Sequence, residues 1–119
     1  ESRNSVIFDK QKLSATIGIA KSLAPSESSI RFDVTPAGVT IRSVNQGSVL
    51  DVPARNITTS SDTEQFTINT VAIASLLSAI STKDVFFAWG GKRCYVQPIN
   101  QQSHRPEQDT TVCGMLSNQ

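Results

Sequence analysis

Few residues in this chain could do chemistry, and they are scattered. His104 is the only histidine and lies in the loop Gln101-Gln-Ser-His-Arg-Pro. A general base or metal ligand needs partners at motif spacing, and no carboxylate or cysteine accompanies it, so His104 reads as a surface residue. Cys94 and Cys113 are the only cysteines. They cannot build a disulfide framework and have no second pair for a zinc site; they read as two reduced thiols, with a single bridge as the alternative. Gly90-Gly91-Lys92 lacks the helix that must follow a phosphate loop and sits between two strand patterns, so it reads as a hairpin turn. The chain carries no nucleophile elbow, dinucleotide fingerprint or cluster of metal ligands. Asn56-Ile57-Thr58 matches a glycosylation sequon and, without a secretion signal, reads as chance. The expectation is a protein that binds rather than catalyses, with no cofactor and no metal.

Composition sets the frame for that binding. The chain has 119 residues, 38% hydrophobic and 18% charged, which fits one soluble domain with a single core, spanning 1–119. No apolar run approaches the ~20 residues of a bilayer span, so no membrane association is expected. The first residue is Glu1 and no signal-like segment follows, so the chain reads as a trimmed or processed product or as one domain of something longer. Net charge is +1, with the cations dispersed, which neither announces nor excludes nucleic acid.

The elements that would position these residues follow from periodicity. Val6-Ile7-Phe8 is a strand, Asp9 a helix cap, and Lys10 to Ala24 a helix whose apolar face is Leu13, Ile17, Ala20, Leu23 and Ala24. Pro25 and the serines after it stop that helix. Ile30 to Thr35 alternates as a strand, Pro36-Ala37-Gly38 is turn chemistry with Gly38 free to take a positive φ, and Val39 to Val44 returns. Val49 to Val52 is a third strand, and Asn56 to Glu64 a polar connection without core residues. Then Phe66-Thr-Ile68 is a strand, Asn69 a cap, and Thr70 to Thr82 a helix with Ile73, Leu76, Leu77 and Ile80 on one face. Val85 to Trp89 and Cys94 to Ile99 form a hairpin, and Thr110 to Leu116 is a last strand after the polar loop Asn100 to Gln108. Phe86, Phe87, Trp89 and Tyr95 gather on that hairpin; aromatics there could stack bases, but a continuous apolar strand favours core packing.

The second half echoes the first. Asp9 aligns with Asn69, Leu13 with Ile73, Ile17 with Leu77 and Ala20 with Ile80, all at an offset of 60. The predicted class is α+β, with two β-α-β-β-β repeats over approximately 5–55 and 65–117 and two adjacent helices on one face of antiparallel sheets. The outer helix faces are unusual. The first shows Gln11, Ser14, Ala15, Gly18, Lys21 and Ser22, the second Val71, Ser75, Ser78 and Thr82, where long charged side chains are the norm. Gly18 costs its helix roughly 1 kcal/mol relative to Ala. Small residues would let another backbone or a large polymer approach; a surface of low charge is the plainer alternative.

Length, order and the doubled unit resemble the sliding clamps, the ring-shaped processivity factors of DNA polymerases. The likeness lies in Phe8 to Leu23 leading into Ile30-Arg-Phe-Asp-Val-Thr-Pro-Ala-Gly-Val-Thr-Ile-Arg-Ser-Val, in Val49-Leu-Asp-Val-Pro-Ala, and in Phe66 to Ile99 with its Lys83-Asp84-Val85 approach to the hairpin. It implies a clamp domain, six of which make a ring with helices lining the hole. The implied partners are double-stranded DNA, bound without sequence preference, other clamp domains, and polymerases or other replication and repair proteins. The implied location is intracellular, the nucleus in a eukaryote and otherwise the cytoplasm. DNA would face Lys10, Lys12, Ser14, Lys21, Ser75 and Ser78, and the edge strand with Thr110, Thr111, Val112 and Cys113 would form an interface. The chain departs from the nuclear-antigen type of clamp, which carries lysines where Ser14, Ala15, Ser75 and Ser78 stand. The alternative is a clamp fold reused for protein contact without DNA.

Overall fold

The computed structural model describes residues 4–43, 49–107 and 110–116. Val44 of the second predicted hairpin strand and Gln108 of the last loop lie outside them. Among the described residues nine strands and two helices follow in the order β1 (Asn4–Asp9), α1 (Lys10–Leu23), β2 (Ser29–Thr35), β3 (Gly38–Ser43), β4 (Leu50–Val52), β5 (Ala54–Thr58), β6 (Glu64–Asn69), α2 (Thr70–Ser78), β7 (Asp84–Gly90), β8 (Arg93–Pro98) and β9 (Val112–Met115). They form two antiparallel sheets, β5-β1-β7-β8-β9 and β4-β3-β2-β6.

The strand exchange organises the molecule. β1 pairs with β7, whose partner hairpin follows α2, while β6 pairs with β2, whose partner hairpin follows α1. Each helix therefore leaves a strand of one sheet and leads into a strand of the other. Both hairpins close on two residues: Thr35 pairs with Gly38 and Gly90 with Arg93. Only the second uses a left-handed glycine, Gly91 at φ 58°. Gly38 begins β3 without a positive φ; Thr35 Oγ1 instead accepts from the Ala37 amide at 3.2 Å, a local bond that sets the turn.

The inner faces of the sheets meet in an aromatic cluster. Phe32 and Phe66 stack at 4.6 Å, Phe66 and Phe87 at 5.3 Å, and Trp89 lies 4.8 Å from Phe66. Phe8, Phe32 and Phe87 have no exposed surface, and each such ring contributes roughly 1.5–3 kcal/mol by burial alone. Core packing thus claims Phe87 and Trp89, while Phe86 is half-buried and Tyr95 exposed on the outer face.

Three readings of the sequence change. The segment after Val52 is not a bare connection: β5 occupies Ala54–Thr58, pairs with β1, and packs Ala54 and Ile57 against the core. Its polar residues hid the strand, and a shift of register opposite Ser5 and Ile7 with Asn56 at φ 52° marks a bulge, where a left-handed residue lets a polar edge strand bend. Pro53 alone separates β4 in one sheet from β5 in the other. The second change concerns α2, which ends at Ser78; Ile80 is still buried, but Thr82 lies beyond the helix and donates to the Asp84 carbonyl at 2.7 Å. The third is Leu23, which is 46% exposed, so the buried stripe of α1 is Leu13, Ile17 and Ala20.

Candidate nucleic-acid interface

The two helices are set side by side by their caps and by links between halves. Asp9, extended at φ −76°, accepts from the Lys12 amide at 3.1 Å, and Asn69 accepts from Val71 at 2.8 Å and Ala72 at 3.2 Å. Each bond satisfies a donor that a helix start leaves without an intrahelical partner. The Lys10 amide donates to the Lys83 carbonyl at 2.9 Å and the Thr70 amide to the Ser28 carbonyl at 2.8 Å, so the start of each helix is tied to the residue preceding a strand of the other half. α1 packs on β3 and β4, and α2 on β6 and β9. Buried Ser43 Oγ donates to the Ala20 carbonyl at 3.0 Å, pinning α1 to β3.

Between the helices runs an open groove of about 510 Å³. From α1 it is lined by Ser14, Ile17, Gly18 and Lys21, and from α2 by Thr70, Val71, Ala74, Ser75 and Ser78. Four of the six residues expected to face DNA are therefore brought together: Ser14, Lys21, Ser75 and Ser78. Lys12 is exposed but lies at the first turn, outside the groove. The Lys10 ammonium donates to the Ile80 carbonyl and caps the end of the segment following α2. Ser78 Oγ donates to the Ser75 carbonyl at 2.9 Å, which commits its proton to its own helix. Lys21 is the single cation lining the groove among the described residues, and its place in the last turn of α1 also suits the helix dipole. Gly18 has open space where a Cβ would stand, so nothing inside the fold requires a glycine there.

Ile17, Val71 and Ala74 make part of the lining apolar, and Val71 is 65% exposed. Opposite-charge steering from this face is weak, and contact over it would rest on close approach.

The expected edge strand is β9, at one end of its sheet with β8 as its neighbour; β4 ends the other sheet. Val112 is half-buried and Cys113 exposed on β9. Thr110 and Thr111 precede the strand, the latter accepting from Gln97 Nε2 at 2.8 Å. Gly114 is the tight point: a Cβ there would stand 2.8 Å from Leu76 Cδ1 and 3.2 Å from Cys94 Sγ. Cys94 is fully buried, and burial pushes its thiol up to about 11, against a smaller lowering by the Gly114 backbone and a further rise from nearby Cys113. Both cysteines are free.

Among the described residues no group of three or more His, Cys, Asp or Glu could hold a metal ion, and no helix is long and apolar enough to cross a membrane. Arg55 of β5 and Lys83 before β7 flank the start of α1 together with Lys12. This convergence is not legible from spacing, because the three lie in separate segments that only the folded chain brings together.

Two helices side by side, each entered from one antiparallel sheet and leaving into the other, define a clamp-type domain. No family model and no curated protein matches the sequence, so the resemblance rests on shape. The DNA polymerase III beta chain of Streptococcus pneumoniae superposes over 100% of this chain with a TM-score of 0.79 at 10% identity. The DNA polymerase sliding clamp of Bacillus subtilis does so with a TM-score of 0.78 at 15% identity. The sliding clamp of Pseudomonas aeruginosa, solved bound to griselimycin, covers 98% of the chain with a TM-score of 0.69 at 14% identity. The chain has the fold of one sliding-clamp domain and spans 31–32% of the length of these three neighbours.

Proposed function

We propose that this chain is a clamp-type domain of a DNA-associated processivity or scaffold factor, acting without catalysis inside the cell. The observation that carries the reading is the match in fold of this whole chain to about a third of polymerase clamps, combined with a helix pair whose groove is open and with β4 and β9 at the ends of their sheets. DNA would run past Ser14, Lys21, Ser75 and Ser78, with Lys12 at the margin and Lys10 holding the helix ends together. Nothing in this surface reads base edges, so contact would be to phosphates and indifferent to sequence.

Assembly would use the strand edges. β4 and β9 terminate different sheets, and pairing β9 of one domain with the β4 edge of the next gives a head-to-tail contact that closes when the rotation permits. Val112 and Cys113, preceded by Thr110 and Thr111, would then be covered by a sister domain. Polymerases or repair proteins would bind the assembled ring. The test is native mass together with salt-dependent retention on closed circular against linear DNA. Retention on circles alone, by an assembly of several domains, is expected; a strict monomer retained by neither would end the proposal.

A second reading is favoured by the apolar helix face: the groove packs against another protein and DNA is not bound. Placing lysine at Ser14, Gly18, Ser75 and Ser78 separates the two. It abolishes association under the second reading and strengthens DNA binding under the first.

A further inference from the structure

We infer that the main phosphate-binding surface of this chain is a depression at the end of the helix pair, where α1 begins, rather than the groove between the helices. The inference rests on the DNA-associated reading and deepens it. The depression, of about 380 Å³, is lined by Lys12, Arg55, Lys83 and His104 with two carboxylates, Asp9 and Asp84. Four cationic or ring N–H donors thus meet in one concavity, against the single Lys21 of the groove.

Both carboxylates are already engaged. Asp9 accepts from the Lys12 amide at 3.1 Å as the helix cap, and Asp84 Oδ2 accepts from Arg55 Nη2 at 3.1 Å. They fix the backbone of the first turn and the direction of one guanidinium, while the exposed Lys12 and Lys83 take no part in the ion pairs Arg31–Asp33 and Arg55–Asp84. An arginine braced by one carboxylate still has N–H groups to offer a phosphate oxygen.

The fourth donor is held in place by a built loop. Asn100 Oδ1 accepts from the Gln102 amide at 2.8 Å and the Ser103 amide at 2.9 Å, and its Nδ2 donates to Glu107 at 2.9 Å. The Asn100 amide donates to the Arg105 carbonyl at 2.9 Å and the His104 amide to the Asn100 carbonyl at 2.8 Å. This closed turn holds His104 at φ 59°, a left-handed conformation uncommon outside glycine though more accessible to histidine than to most residues. The result is a His104 held by its loop at the wall of the depression.

The ligand chemistry is the phosphate group, and donors drawn from α1, β5 and the segments before β7 and after β8 offer more than one point of contact, as a duplex backbone with its repeated phosphates would use. The test is an NMR titration of the whole chain with a short duplex that needs no ring closure, and separately with inorganic phosphate. Duplex-induced shifts centred on His104, Arg55, Lys12 and Lys83 are expected. The double variant Lys12→Gln, Lys83→Gln should lower the slope of log affinity against log salt by about 2, and Lys21→Gln by no more than about 1. Shifts centred on Ser14 to Lys21 and Val71 to Ser78, no shifts at all, or a double variant with the parent slope would overturn the inference. Inorganic phosphate binding as tightly as duplex at the same residues would also overturn it, marking a free-phosphate site. Binding of short duplex at the depression without retention on closed circles would leave this site standing and remove only ring encirclement.

Discussion

The Lys10 amide donates to the Lys83 carbonyl at 2.9 Å, joining the first residue of one helix to the residue that precedes β7. Thr70 and Ser28 repeat the link at 2.8 Å with the halves exchanged. The two bonds tie the start of each helix to the other half in the same way. They use main-chain atoms, so side chains at these points remain open to other work, as Lys10 shows by capping the Ile80 carbonyl.

The cap of the shorter helix should matter more than its size suggests. Asn69 satisfies two amides of a nine-residue helix that has no acidic residue in its first turn. Asn69→Ala should cost about 1 kcal/mol in denaturant unfolding, and Asn69→Asp should restore most of it. An Asn69→Ala variant with unchanged midpoint would show that α2 is held by packing alone.

Gly114→Ala should destabilise by about 1–3 kcal/mol, because the new methyl would stand 2.8 Å from Leu76 Cδ1. Shortening Leu76 relieves the clash, so Gly114→Ala in a Leu76→Ala background should cost much less than in the parent. The double-mutant cycle reads that difference directly; additive effects would mean the strand moves away instead.

Stability should fall at alkaline pH through Cys94. Its thiol is raised from an ordinary 9.0 to about 11 in the folded chain. Between these values the unfolded chain loses the proton and the folded chain keeps it, so stability is full below about pH 9 and declines as pH rises toward about 11. The effect is on the order of 2 kcal/mol. Chemical denaturation from pH 8 to 11 should show the decline, and Cys94→Ala, compared with itself across the same range, should show less of it.

Thiol reagents should report the same geometry. Cys113 is exposed and Cys94 buried. One thiol should react in native buffer and two in denaturant; two fast-reacting thiols in native buffer would mean that the β8–β9 edge opens.

Ser43→Ala should loosen α1 from its sheet. The buried hydroxyl donates to the Ala20 carbonyl at 3.0 Å, and its removal leaves that acceptor without this partner. A loss of about 1–2 kcal/mol is expected, with faster amide exchange in the last turns of α1.

The elements were legible where period and cap agreed. Leu13, Ile17 and Ala20 mark the buried stripe of α1, and Ile73, Leu76 and Leu77 that of α2. β5 was hidden because an edge strand with a bulge needs little alternation, and Arg55-Asn56 looks like loop. The groove could be anticipated from small residues at helical spacing, since a helix face is a local property. The depression could not: Lys12, Arg55, Lys83 and His104 come from separate segments, and only the folded chain makes them neighbours.

The exchange of first strands carries a consequence for how the polypeptide holds together. Cleavage within residues 59–63 would yield two pieces, each owning a strand whose hydrogen-bonding partner sits on the other. Neither piece could complete a sheet by itself, yet a mixture should reassemble without covalent connection. The two halves resemble clasped hands more than stacked bricks, and a force that peels one from the other must break β1 from β7 and β6 from β2 together.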